Sequence, residues 1–185
     1  MIVFLDFEAS GLGKRSFPIE VGWVGEDGGE ESHLIRPAPD WDEWNEEAEA
    51  IHGLSREQLV REGEPHGAVA RRMVDRLAGH DLYASAPSWD GQWLSRLLRA
   101  AGLPRHALRL RDTEEARQAA AIAALAEVGR DPSRHEGLVI EVLGEAAREA
   151  GEGVPAHRAL EDAKREMRIW RGMGDRVRAA LAREG

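Results

Sequence analysis

The chain has no cysteine. Disulfides, thiolate nucleophiles and cysteine zinc sites are therefore excluded, and any metal must be held by oxygen or imidazole. Lysine is scarce, with Lys14 and Lys164 its only occurrences. A GC-rich genome accounts for the arginine bias more simply than phosphate recognition does. Positive charge is short overall, and the net charge of −9 argues against a protein that coats long duplex, though not against an enzyme that grips one strand end. No apolar run approaches membrane-spanning length, so no membrane partner is expected. A strand-like start at residue 2 leaves no room for a signal peptide, and the expected location is cytoplasmic.

What is present is 185 residues, 42% hydrophobic and 32% charged, the balance of one soluble globular domain spanning 1–185. The first third reads as strands: residues 2–7, then 17–25 (FPIEVGWVG), a turn at Glu26-Asp27-Gly28-Gly29, and 32–36 (SHLIR), stopped by Pro37. Helices dominate afterwards. Residues 55–78 carry a helical stripe interrupted by Gly63-Glu64-Pro65, and 81–86 (DLYASA) is a fourth strand. A helix through Leu94, Leu97, Leu98 and Ala101 closes at Gly102 and Pro104, and 106–111 (HALRLR) is a fifth strand. Residues 112–128, 136–150 and 158–182 read as helices. The expected fold class is α/β: one mixed five-stranded sheet, an antiparallel three-strand meander plus parallel strands, flanked by helices.

The opening MIVFLDFEAS raises a chemical question. In a strand, Ile2, Phe4, Asp6 and Glu8 share one face and Val3, Leu5 and Phe7 the other, so one face turns from apolar to acidic. Two such carboxylates at the end of a buried strand resist desolvation unless a cation sits between them; alternatively, the strand runs out into solvent at Asp6. Asp90, in APSWDGQWLSRLL, falls just inside the helix after the fourth strand, where ligand sites of α/β sheets gather. Taken singly it reads as an ordinary first-turn acid. In GVPAHRALEDAKREM, His157 precedes the last long helix and Asp162 lies on its early turns, with the 151–155 segment (GEGVP) as a loop. Spacing five does not share a helical face, but loop and helix together can reach a common point.

Jointly these segments resemble the DEDDh family of 3′–5′ exonucleases, of the ribonuclease H-like superfamily. The likeness rests on FLDFEASGL (4–12), IHGLS (51–55), SWDGQWL (88–94) and HRALEDA (157–163). It implies metal-binding acids at Asp6, Glu8, Asp90 and Asp162, with Asp6 bridging two Mg²⁺ or Mn²⁺ ions. It further implies a general base at His157, a turn Ala9-Ser10-Gly11-Leu12 that holds the terminal nucleotide, and His52 and Gly53 lining the nucleotide pocket. The implied partner is a single-stranded nucleic-acid 3′ end, DNA or RNA, and the implied activity is release of nucleoside monophosphates. A catalytically weak or inactive binding module of the same fold is the alternative. Ser85-Ala86 stands where family members often carry His-Asn before the third acid, Ala9 where Thr is usual, and Gly13 where an acid is frequent. Trp41 and Trp44 lie among acids that would repel phosphate, so they are expected to pack beneath an acidic helix, and the 40–49 segment is expected to face a protein partner if anything.

Overall fold

The computed structural model describes residues 1–152 and 156–184; residues 153–155 of the expected 151–155 loop lie outside the described residues. The sheet contains six strands: β1 (Ile2–Ala9), β2 (Pro18–Gly25), β3 (Glu30–Arg36), β4 (Glu64–Pro65), β5 (Asp81–Ala84) and β6 (Leu110–Asp112). Their order is β4-β3-β2-β1-β5-β6. The first three form the expected antiparallel meander, and β5 and β6 run parallel to β1. The sixth strand is a correction. Gly63-Glu64-Pro65 reads in sequence as a helix break, whereas two of its residues pair with Ile35 and Arg36. A two-residue pairing carries no alternation that could announce it.

The helices are α1 (Glu46–His52), α2 (Arg56–Glu62), α3 (His66–Leu77), α4 (Pro87–Ala100), α5 (Thr113–Glu127), α6 (Glu136–Glu152), α7 (Ala159–Arg171) and α8 (Met173–Glu184). The helix expected over 158–182 is thus two, parted at Gly172, and the strand expected at 106–111 shifts to 110–112.

Two layers of helix cover the sheet, following the side-chain alternation of β1. Val3, Leu5 and Phe7 pack with Val69, Met73 and Leu77 of α3 and Leu94, Leu97 and Leu98 of α4. Phe4 turns the other way and packs with Val24, Tyr83, Ala116 of α5 and Ala163 and Met167 of α7, with Ile2 alongside. A separate cluster joins α5, α6 and α8 with the end of α7. Every residue of β2 is buried, as covering on both faces requires. Trp41 is packed as expected: it is 2% exposed and its ring stacks on Phe17 at 5.2 Å. Trp44 is partly buried against the same core. Among the described residues no helix is long and apolar enough to cross a membrane.

Candidate metal centre

Strand alternation carries Asp6 and Glu8 to the face where Ile2 and Phe4 meet α7. Register sets Asp6 opposite Gly22 and Glu8 opposite Glu20 on β2. Gly22 is what lets α7 come so close, since a Cβ there would lie 2.2 Å from the Leu160 nitrogen. Asp162, on the first turn of α7, therefore meets the strand acids: one oxygen from each of Asp6, Glu8 and Asp162 lies within 4.8 Å of the others.

Asp90 comes from the first turn of α4, beyond the carboxyl end of β5. It is 1% exposed, its Oδ2 accepts the Ala86 N–H at 3.3 Å, and it lines the same cavity without joining the three-acid cluster. His157 lines that cavity too. Its φ of 52° is the left-handed region, which a β-carbon disfavours and surrounding contacts must hold. Those contacts are visible on either side: the Ala156 N–H donates to Asp162 Oδ1 at 2.9 Å, and Arg158 Nη2 donates to Glu20 Oε1 at 2.8 Å. The Ala159 N–H also donates to Glu20 Oε2 at 3.1 Å, so a buried carboxylate of β2 caps the start of α7.

The acids feel their confinement. Burial, then the charges of Asp90, Glu8, Asp162 and Glu166, hold the Asp6 carboxyl well above the ordinary aspartate range. Burial and Asp162 push Glu8 up to about 8, against a lowering by Arg158. Asp90 rises to about 7 through burial, despite backbone hydrogen bonds from Ala86 and Phe7 that favour its charge. Desolvated carboxylates that repel one another are relieved by a hard cation, and oxygen-only donors suit Mg²⁺ or Mn²⁺. The residues present fit such ions.

The cavity measures about 640 Å³, and its walls include Leu12, Trp89, Trp93, Arg117 and Glu166. Of the turn expected to hold a nucleotide, Leu12 is 70% exposed and lines the cavity. Ala9, Ser10 and Gly11 are buried behind it. Ser10 is committed to the loop: its Oγ accepts the Phe17 N–H at 3.1 Å and its carbonyl the Asn45 N–H at 2.9 Å. His52 ends α1, 7% exposed, with Nδ1 accepting the Leu54 N–H at 3.1 Å; Gly53 supplies the left-handed C-cap at φ 70°. Neither His52 nor Gly53 is among the cavity's lining residues.

Sequence reasoning missed Glu20, Arg117, Glu166 and the pair Trp89 and Trp93, whose rings stack at 5.8 Å. Three signals were available. Glu20 is an acid inside an otherwise apolar strand, as Asp6 is, Glu166 follows Asp162 by one helical turn, and the tryptophans are spaced four apart.

Carboxylates at the end of a central strand, met by an acid from a late helix, are thus set in a six-stranded mixed α/β sheet, and solved structures share that fold. The chain resembles the zinc-bound complex of Escherichia coli exonuclease I with single-stranded DNA, with a TM-score of 0.65 and 16% identity over 98% of this chain and 42% of that one. Apo exonuclease I gives 0.59 and 16% over 91% and 40%, and the moderately thermophilic exonuclease I of Methylocaldum szegediense 0.54 and 15% over 70% and 31%. This chain thus spans less than half the length of those proteins. No protein-family model matches the sequence, and no curated protein is significantly similar to it.

Proposed function

We propose that the chain is a metal-dependent 3′–5′ exonuclease that hydrolyses the terminal phosphodiester of a single-stranded DNA or RNA end and releases nucleoside monophosphates. The observation that carries this reading is the convergence of Asp6, Glu8 and Asp162 oxygens within 4.8 Å, with Asp90 and His157 in the same cavity. Asp6, Glu8, Asp90 and Asp162 would hold two Mg²⁺ or Mn²⁺ ions. Such ions neutralise the anionic phosphodiester and stabilise charge on its attacking and leaving oxygens.

The remaining work falls to the protein's own groups. His157 accepts the proton of the attacking water, a role suited to an imidazole near neutral pH. Leu12 and Trp89 bound the space on the side of the turn and α4, offering apolar surface to the terminal base. The exonuclease I structures solved with dA16 and dT13 oligonucleotides support a single-stranded nucleic-acid substrate for this fold.

The test is digestion of 5′-labelled DNA and RNA oligomers, single-stranded and duplex, with Mg²⁺, with Mn²⁺ and with chelator. The expected result is a metal-dependent ladder shortening from the 3′ end, slowed about 10²- to 10⁴-fold in His157→Ala. Uncut oligomers under every metal condition, with binding retained, would instead favour the inactive binding module.

A further inference from the structure

One charged pair in the cavity wall has no place in the chemistry above. Glu166 sits one helical turn after Asp162 on α7, with its side chain 13% exposed. Its Oε2 accepts from Arg117 Nη2, and Arg117 rises from the first turns of α5 with only 7% of its side chain exposed. Both residues line the cavity that holds Asp6, Glu8, Asp90 and Asp162. The Arg117 Nε–H has no acceptor among the described residues. A fifth carboxylate therefore stands beside the four acids, and a buried guanidinium occupies it.

Resting on the metal-centre reading, we infer that Arg117 is a specificity-determining residue: by pairing with Glu166 it withholds a fifth carboxylate from the centre and so limits the number of cations the cavity accepts. The chemistry is that of competition. A carboxylate that accepts from a guanidinium is satisfied in charge and hydrogen bonding, and a divalent ion must displace that partner to use it. The pair also braces α5 against α7 close to Asp162, so its loss perturbs packing as well as charge. A cycle of variants separates the two effects.

The experiment is Mn²⁺ titration by calorimetry, with free Mn²⁺ counted in parallel by its paramagnetic resonance signal, on the full chain and on Arg117→Gln, Glu166→Gln and the double variant. In Arg117→Gln the bound Mn²⁺ should rise by one equivalent per chain, and the double variant should return to the wild-type number. Glu166→Gln leaves an unpaired cation in the wall, and should keep the wild-type number while weakening Mn²⁺ affinity at least about tenfold. An unchanged stoichiometry in Arg117→Gln overturns the inference, as does a rise that persists in the double variant. Should Arg117→Gln fail to fold, as judged by its melting curve, Glu166→Gln decides alone, and unaltered Mn²⁺ affinity there overturns the inference. A wild-type chain that binds no Mn²⁺ fails the metal-centre reading itself, which keeps the two failures apart.

Discussion

Asp6 shows how a single residue can cost the fold stability at the place where the proposed centre needs its charge. Its neighbours are three acids of the centre and Glu166, and burial removes the water that would screen them. Folded Asp6 and Glu8 therefore hold their protons to higher pH than the unfolded chain does, Glu8 to about 8. With more protons bound folded than unfolded, the metal-free chain loses stability as pH rises from about 4, and the loss is complete only above the folded values. Asp6→Asn removes one of the repelling charges. In chelator it should melt above wild type by a few degrees at pH 8, where each kcal/mol is worth roughly 2–4 °C in a chain of this size. The difference should shrink toward pH 4. The same variant should lack nuclease activity and lose most of the Mn²⁺-induced rise in melting temperature. A metal-free melt lower than wild type at pH 8 would mean that Asp6 serves packing or hydrogen bonding first. The alternation in MIVFLDFEAS made Asp6 and Glu8 legible at this scale, because period two assigns faces without any knowledge of the fold. The pairing of Arg117 with Glu166 was not legible, since residues 49 positions apart become a pair only when α5 packs on α7.

Between elements, the centre depends on how closely α7 approaches β1 and β2. Gly22 permits that approach, because a Cβ there would lie 2.2 Å from the Leu160 nitrogen. Gly22→Ala should push the start of α7 outward, at a cost of about 1–3 kcal/mol for overpacking. Because Asp162 rides on that turn while Asp6 stays in the strand, Mn²⁺ affinity should fall more steeply than the melting temperature alone would suggest. Calorimetry paired with thermal melts checks this, and a destabilised variant with unchanged affinity would show that Asp162 follows the strand by another route. Glu20 acts at the same junction, capping α7 and gripping Arg158, and thus bears on the residues flanking the left-handed His157. The elements themselves were largely readable: the meander and the helix carrying Asp90 in its first turn stand where periodicity and turn residues put them, whereas Gly151 and Glu152, the first two residues of the loop expected over 151–155, still belong to α6. The break at Gly172 was not, because the apolar stripe through Met167, Ile169, Met173 and Val177 continues across it into one shared cluster apart from Met167, which packs on the sheet. A stripe reports burial, and burial persists through a change of axis.

For the whole molecule the governing quantity is charge. The net −9 is not spread evenly, for the 40–49 segment carries Asp42, Glu43, Glu46, Glu47 and Glu49 and is joined to the Ser10–Gly13 turn by the Asn45 N–H, which donates to the Ser10 carbonyl. Glu43 lies so close that a Cβ on Gly13 would meet its Oε1 at 2.0 Å. Many arginines are already engaged: Arg72 with Glu31, Arg111 with Glu115, Arg158 with Glu20 and Arg183 with Glu141. Except for Arg158 with the buried Glu20, these are surface pairs, which add little stability, but each pair leaves its neighbourhood close to neutral. A nucleic-acid strand on this surface would be gripped near its end and repelled along its length. Binding should then release few counterions. With two or three phosphates neutralised, the slope of log affinity against log salt for a single strand is expected between about −1.4 and −2.1, from about −0.7 per contact. Fluorescence anisotropy of a 5′-dye-labelled oligomer on His157→Ala, which survives the measurement with its substrate intact, gives that slope across a salt titration. Lengthening the oligomer should leave both slope and affinity nearly constant. A slope steeper than about −5, or affinity that climbs with every added nucleotide, would mean that a basic track follows the backbone and would overturn end-gripping.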